Sequence, residues 1–499
     1  MTTKVTINSL ATGVPGLDEL LGGGLPEFSF NLIAGQPGSG KTTLAHQIMF
    51  ALASEARPAI YFTVLGEPPL KMLRYQQQFD FFDDAAINRS VRFVSLSEDA
   101  MAGDLDRVLQ RIADEVRAHG PALVFVDSFR SVVLAGQGHG DANNRLQQFM
   151  QQLGMLMTSW QATTFLIGEY FTETDANPVF TVADGLIWLR QSVQRNAMVR
   201  KMEILKMRGR PSLPGLHSFR ISRQGLEIFV PPAASQADAS RSGVGLARAS
   251  LGVPGLDEMM GGGLPRGYSL LVAGPSGSGK SILAASFLGE GARLGERGVV
   301  AAFERRPSAS SNARLAALID SGEVGLIADH AMDVSIDEVL MRLIDAVRRL
   351  DAKRVVIDSL SGFELTLGPS FRDDFRESLL RFVNVLTGMG VTVLMTSELE
   401  DRYQDLRFSP YGTAFLTDAI ILQRYIEVGS RLRRITAVVK VRESAHSDEL
   451  REYSIAAEGL VIGERLHDQE GLLSGHPRRT VAAPSHESGP PPPLGDPIR

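Results

Sequence analysis

Two phosphate-binding loops in one chain restrict what this sequence can fold into more than any other feature. Gly35-Gln-Pro-Gly38-Ser39-Gly40-Lys41-Thr42 and Gly274-Pro-Ser-Gly277-Ser278-Gly279-Lys280-Ser281 both satisfy G-x-x-x-x-G-K-[ST]. One match arises by chance in a chain this long at a frequency on the order of a per cent; two inside a long repeat do not. Glycines let such a loop turn its backbone N–H groups inward as an anion nest. The helix that follows, near Thr43 in the first copy and Ile282 in the second, points its positive dipole end at the phosphates. Lys41 and Lys280 are expected to reach the β- and γ-phosphates, with the Thr42 and Ser281 hydroxyls ligating Mg²⁺. Apolar strands ending at Ala34 and Ala273 run directly into the loops. The chain reads as one that binds ATP or a similar triphosphate twice.

The repeat extends beyond the loops. Gly13-Val-Pro-Gly-Leu-Asp-Glu-Leu-Leu-Gly-Gly-Gly-Leu-Pro26 recurs as Gly252-Val-Pro-Gly-Leu-Asp-Glu-Met-Met-Gly-Gly-Gly-Leu-Pro265, at the same spacing that separates Lys41 from Lys280. Residues 233–246, small and polar, read as a linker between domains spanning 1–232 and 247–473. Residues 474–499 are proline-rich and poor in apolar side chains, which predicts a disordered tail. Within each half, short continuous apolar runs such as Leu123-Val-Phe-Val and Val355-Val-Ile alternate with amphipathic helical segments. Strands of that kind belong to a mostly parallel sheet covered by helices on both faces, an α/β fold.

Composition narrows the setting. With no cysteine there is no disulfide and no thiolate metal site. No apolar run approaches the roughly 18 residues of a membrane span, and the first residues lack a signal-peptide pattern, so a cytoplasmic address is expected. A net charge of −6 gives no broad attraction to nucleic acid. The segment Glu169-Tyr-Phe-Thr-Glu-Thr-Asp is acidic where a DNA-facing loop should be basic, which counts against a DNA-dependent recombinase or helicase.

Phosphoryl transfer to water needs a metal, an orienting base and positive charge on the transferring group. Asp127 and Asp358 end buried strands and suit the Mg²⁺-water contact. Glu67 and Glu304, after the strand that follows each loop helix, are candidates for orienting the attacking water. Thr396 and Ser397 are weaker candidates for sensing the γ-phosphate. Only eight of 51 basic residues are lysine. Two are the loop lysines; two more, Lys206 and Lys440, recur late in each half beside Arg208 and Arg442. These basic pairs are either fingers for a neighbouring subunit's ATP or ordinary exposed strand positions.

Taken together, the Gly-Leu-Asp-Glu-x-x-Gly-Gly-Gly-Leu-Pro segments, the loops, Val-Asp127-Ser and Ile-Asp358-Ser, and Leu-Lys206-Met-Arg208-Gly resemble the KaiC family over nearly the whole chain. That resemblance implies two tandem RecA-like P-loop domains in a double-ring homohexamer. It also implies ATP at subunit interfaces, with Lys206/Arg208 and Lys440/Arg442 reaching across. Slow ATP hydrolysis controlling a signalling partner would follow, with Ser/Thr autokinase and autophosphatase activity in clock members. The sequence departs from the family in two places. Its paired catalytic glutamates appear as Gly66-Glu67 and Glu304-Arg305, one carboxylate per site, and the phosphorylated Ser-Thr pair falls at Ala414-Phe415. Thr413 and Thr417 are the nearby hydroxyls, so any kinase cycle is expected to be altered or absent.

Overall fold

The computed structural model describes residues 7–64, 69–101, 104–128, 142–171, 178–194, 197–232, 247–303, 306–328, 335–367, 375–399, 417–428, 430–465, 469–470 and 478–479. The chain packs as two units, one built mainly on residues up to Pro232 and the other mainly on residues after it. The 233–246 linker lies outside the described residues.

The first unit is organised by a nine-stranded sheet. Its strands are β1 (Phe30–Gly35), β2 (Ala59–Thr63), β3 (Val91–Ser95), β4 (Leu123–Asp127), β5 (Thr163–Glu169), β6 (Gly185–Gln194), β7 (Ala197–Met207), β8 (His217–Ser222) and β9 (Gly225–Ile228). They lie in the order β3-β2-β4-β5-β1-β6-β7-β8-β9. From β3 to β6 all pairings are parallel; β7, β8 and β9 extend the sheet antiparallel. Every residue of β1 and β2 is buried. Side chains alternate between faces. Leu32 and Phe62 enter one apolar core, while Ile33, Tyr61, Phe125 and Phe165 enter the other. Each such large side chain contributes about 1.5–3 kcal/mol of burial, which is why the runs read as continuous apolar sequence.

The second unit repeats this plan with β10 (Ser269–Gly274), β11 (Gly298–Ala302), β12 (Val324–Ala328), β13 (Arg354–Asp358), β14 (Thr392–Glu398), β15 (Ala419–Val428), β16 (Arg431–Val441), β17 (Arg451–Ala456) and β18 (Gly459–Arg465). The order is β12-β11-β13-β14-β10-β15-β16-β17-β18, the same as in the first unit. Both units are therefore α/β and mostly parallel, as their apolar strands imply. No helix among the described residues is long and apolar enough to cross a membrane. Near the end of the chain, Gln469–Glu470 pairs antiparallel with Arg478–Arg479. This pairing reaches past residue 474, from which a disordered tail is expected; a β-ladder is made by backbone groups and does not require apolar composition.

Strand order fixes where chemistry can occur. Gly35, Glu169, Asp127 and Thr63 end adjacent parallel strands at one edge of the first sheet, and Gly274, Glu398, Asp358 and Ala302 do the same in the second. Helices α1 (Lys41–Leu52) and α2 (Lys280–Arg293) leave from that edge.

Two candidate triphosphate sites

In the first unit, β1 delivers Gly35 to a loop whose Gly38 and Gly40 hold φ of 77° and 101°. A Cβ on Gly40 would also stand 2.7 Å from Ile221 Cδ1, so the position excludes larger residues on two counts. Lys41, the first residue of α1, is 6% exposed, and its Nζ donates to the Gln36 carbonyl at 2.8 Å. Thr42 Oγ1 donates to Asp127 Oδ2 at 2.9 Å. The Tyr61 phenol donates to the same oxygen at 2.7 Å. Burial pushes the Asp127 carboxyl above its ordinary range, against the pull of Tyr61, Thr42 and Lys41; the Glu169 charge adds to the push. Burial lowers Lys41, and the carboxylates of Glu169 and Asp127 oppose that. Ser39 is buried, Thr43 half-buried. Gln191 on β6 braces the loop by donating to the Pro37 carbonyl at 2.6 Å.

The second site has the same nest with different supports. Gly277 and Gly279 hold φ of 76° and 99°, and a Cβ on Gly279 would lie 3.2 Å from both Ile455 Cδ1 and Leu460 Cδ2. Lys280 Nζ donates to the carbonyls of Gly274 and Pro275 at 2.8 Å each. The loop is braced by Ser278 Oγ donating to Gln423 at 3.0 Å and by Tyr453 donating to the Ser278 carbonyl at 2.6 Å. A cavity of about 260 Å³ is lined by Gly277, Lys280, Ser281, Ile282, Asp358 and Glu398, among others. Asp358 Oδ1 accepts from Thr396 Oγ1 at 2.6 Å. Thr396, a candidate γ-phosphate sensor from sequence, is thus hydrogen-bonded to the metal-site carboxylate; Ser397 is fully buried.

The residues present fit a triphosphate with magnesium. A glycine loop turned at positive φ, a lysine at the helix start and a hydroxyl beside a carboxylate form a hard-cation and anion donor set. Among the described residues no group of three His, Cys, Asp or Glu gathers into a protein-only metal cage. A magnesium held by one hydroxyl and a carboxylate needs phosphate oxygens and water to complete its shell.

Several sequence candidates stand elsewhere. Glu67 and Glu304, with Gly66 and Arg305, lie outside the described residues, as do Thr413, Ala414 and Phe415. Thr417 is described and is 1% exposed. Lys206 faces Leu186 across β7 and β6, and Leu186 faces Leu32 on β1. That level is three residues, about 10 Å, short of Gly35 and two strand spacings, about 10 Å more, to the side. Lys440 stands likewise, opposite Ile420, which pairs with Leu271. Both basic pairs are therefore at the far end of the sheet from their own loop. Lys206 Nζ donates to the Thr181 carbonyl at 3.1 Å, and Arg208 pairs with Asp184 at 3.1 Å; Arg442 lies 3.6 Å from Asp418. Burial and the neighbouring Arg208 or Arg442 lower Lys206 and Lys440 below the ordinary lysine value.

Sequence reading missed three features of the sites: the Tyr61 phenol, the bracing side chains, and the carboxylates of Glu169 and Glu398 beside the loops. The signal for Tyr61 is a phenol in the middle of a strand that is apolar up to Thr63. Glu169 was noted only as part of an acidic segment.

Fold and loops together define a tandem RecA-like P-loop protein. Within that class, a family model described as "ATPase: KaiC" matches residues 10–233 and 249–467. The chain belongs to the KaiC family of ATPases. It is similar to the circadian clock oscillator protein KaiC of Picosynechococcus sp., 26% identical with 95% of this chain and 93% of that protein covered. It is also similar to the circadian clock protein KaiC3 of Synechocystis sp., 27% identical with 95% of each covered. The KaiC of Parathermosynechococcus lividus is 28% identical, with 94% and 88% covered.

Proposed function

We propose that this chain binds Mg-ATP in both units and hydrolyses it at subunit interfaces of a cytoplasmic double-ring oligomer, the nucleotide state controlling a signalling partner. The observation that carries the reading is the separation of Lys206/Arg208 and Lys440/Arg442 from their own loops. Basic side chains at the far end of the sheet stand away from their own unit's triphosphate, as fingers that serve a neighbouring copy would, and head-to-tail contacts of that kind close into rings. In each site the loop N–H groups and Lys41 or Lys280 hold the phosphates, while Thr42 with Asp127, or Ser281 with Asp358, hold the metal. Magnesium, when bound, supplies positive charge to the β- and γ-phosphates. The fingers add charge as the γ-phosphoryl group loosens. Relatives described as circadian clock proteins support the signalling role.

A mixing experiment tests the geometry. Lys41→Ala/Lys280→Ala removes the loops' cations, and Lys206→Ala/Arg208→Ala/Lys440→Ala/Arg442→Ala removes the fingers. Each variant alone releases little phosphate. Mixed equally and reassembled with Mg-ATP, they should recover about a quarter of wild-type turnover, because that share of interfaces pairs an intact loop with intact fingers. No recovery, together with no ATP-dependent change in particle size, would refute the interface reading.

A further inference from the structure

One aromatic side chain of the first unit stands where the backbone favours glycine. Phe28, at the turn into β1, holds φ of 62°. The repeat puts Gly267 at the matching place in the second unit, with φ of 77°. The same bond fixes both turns: Phe28 N–H donates to Thr163 Oγ1 at 2.9 Å, and Gly267 N–H to Thr392 Oγ1 at 3.0 Å. A side chain at such a φ is crowded against its own backbone, a cost that glycine escapes. Among the described residues the other non-glycines at positive φ are Asn88, Gln161, Asp351, Ser430 and Glu443, all polar. Burial does not offset the cost at Phe28, which is 42% exposed. Strain kept at an exposed aromatic points to a contact outside the unit.

The surroundings indicate which contact. Phe28 lines a hollow of about 560 Å³ with Ile7, Pro26, Glu27, Asp184 and Arg208, among others, and Ile7 is itself exposed. Asp184 ties the hollow to the sheet: its Oδ2 accepts from Phe30 N–H at 3.0 Å and its Oδ1 from Arg208 at 3.1 Å. The hollow therefore opens beside the finger arginine, at the start of β1, about 17 Å along that strand from the loop at its other end. At the loop end, Phe171 and Leu216, both exposed, line a second depression with Gln36 of the first loop, Arg190 and Lys201. Both ends are apolar at their centres, and Glu27 at one is opposite in charge to Arg190 and Lys201 at the other. Such ends can join head to tail. We propose that the hollow around Phe28 receives the loop-side surface around Phe171 and Leu216 of a second copy, seating that copy's first loop against Arg208. This rests on the proposed ring reading and names the contact that places the fingers. Phe28 is a liability in the separate chain and an anchor in the assembly.

The test uses the full chain carrying Phe28→Gly, Phe28→Asn (a residue that also suits a positive φ) or Leu216→Asp. Assembly in Mg-ATP is read by light scattering across protein concentration, and stability of the nucleotide-free first unit by tryptophan fluorescence in urea. Both Phe28 variants should raise the concentration needed for half-assembly at least about tenfold, as loss of an aromatic anchor does. Their urea midpoints should stay at or above wild type, because the strain is gone. Leu216→Asp should weaken assembly by itself and add little to Phe28→Gly, since the two residues share one contact. Urea midpoints below wild type for both Phe28 variants would mean that Phe28 holds its own unit together, and would overturn the inference. Assembly within about two-fold of wild type would overturn it too and leave the ring reading standing; if ATP retention then fell, the hollow would hold a nucleobase instead. Full additivity of Leu216→Asp with Phe28→Gly would refute the occupant named. A wild-type chain that stays monomeric in Mg-ATP would sink the ring reading itself, and this inference with it.

Discussion

Tyr61→Phe removes one hydroxyl and keeps a ring that stacks on His46 at 4.5 Å and on Phe125 at 5.8 Å. The bond lost runs 2.7 Å from a buried phenol to Asp127 Oδ2. Hydrogen bonds to charged groups contribute about 1.5–3 kcal/mol. Thr42 remains as the carboxylate's other donor, at 2.9 Å. The nucleotide-free first unit should therefore lose about 2 kcal/mol at neutral pH. Both tryptophans, Trp160 and Trp188, belong to that unit, so intrinsic fluorescence during urea unfolding reads it separately from the second. With a slope of about 2 kcal/mol per molar, the fluorescence midpoint should fall by about 1 M. Thr396→Val, which removes the corresponding donor to Asp358, should leave that midpoint in place and appear only in far-UV circular dichroism. The pH dependence has a definite sign. Burial holds the Asp127 carboxyl above its ordinary value, and Tyr61 pulls it back down. Removing Tyr61 raises it further. The deficit is then complete above the variant's folded-state value, where both carboxyls are ionised, and shrinks as pH falls through the wild-type folded value. A midpoint within about 0.2 M of wild type at neutral pH, or a deficit that grows on acidification, would refute this account of Asp127.

Two further outcomes follow from buried groups. Burial pushes His46 down from 6.5 to about 3; the unfolded chain thus takes up a proton below about 6.5 that the folded unit refuses until about 3. Stability of the first unit should fall with pH across that interval, at up to about 1.4 kcal/mol per pH unit, and His46→Phe should flatten the slope in the fluorescence assay. In the second unit, the 1%-exposed Arg354 side chain donates to Glu296 at 2.8 Å and to the carbonyls of Ser250 and Phe287 at 2.7 and 2.8 Å. Arg354→Leu strands those acceptors and should cost about 3–5 kcal/mol, visible in circular dichroism but not in tryptophan fluorescence.

The loops and the sheet class were legible because their information is contiguous. A nest needs its glycines at fixed spacing, and a strand buried on both faces must be apolar throughout. What the sequence hid depends on strand order, which no local pattern carries. Glu169 comes to the first loop because β5 lies beside β1, although the whole of β2, β3 and β4 intervenes along the chain. Thr396 is a weak phosphate-sensor candidate from its place at the end of a strand; which carboxylate its hydroxyl meets is set by the neighbouring β13. Sequence alone allows Lys206 and Lys440 to be either fingers or ordinary exposed strand positions. Whether a late strand is parallel or antiparallel decides which end of the sheet its residues reach, and here both are antiparallel.

Register comparison shows how the two sites diverged while keeping one requirement. Tyr61 faces Phe125 two residues before Asp127, and at the corresponding place Val300 faces Val356. Conversely Thr396, paired with Val272, corresponds to Ile167, paired with Ile33. Each unit thus has one hydroxyl donor on a strand flanking its aspartate, but from opposite sides: from β2 in the first unit and from β14 in the second. A buried carboxylate left without donors costs several kcal/mol, so losing one hydroxyl is tolerable only where the other neighbour supplies a replacement. The bracing of the loops diverged in the same way, with Gln191 in one unit and Gln423 and Tyr453 in the other. The demand for a held aspartate and a shaped nest is what the repeats share; the side chains that meet it were free to change because several strand positions can reach the same oxygen.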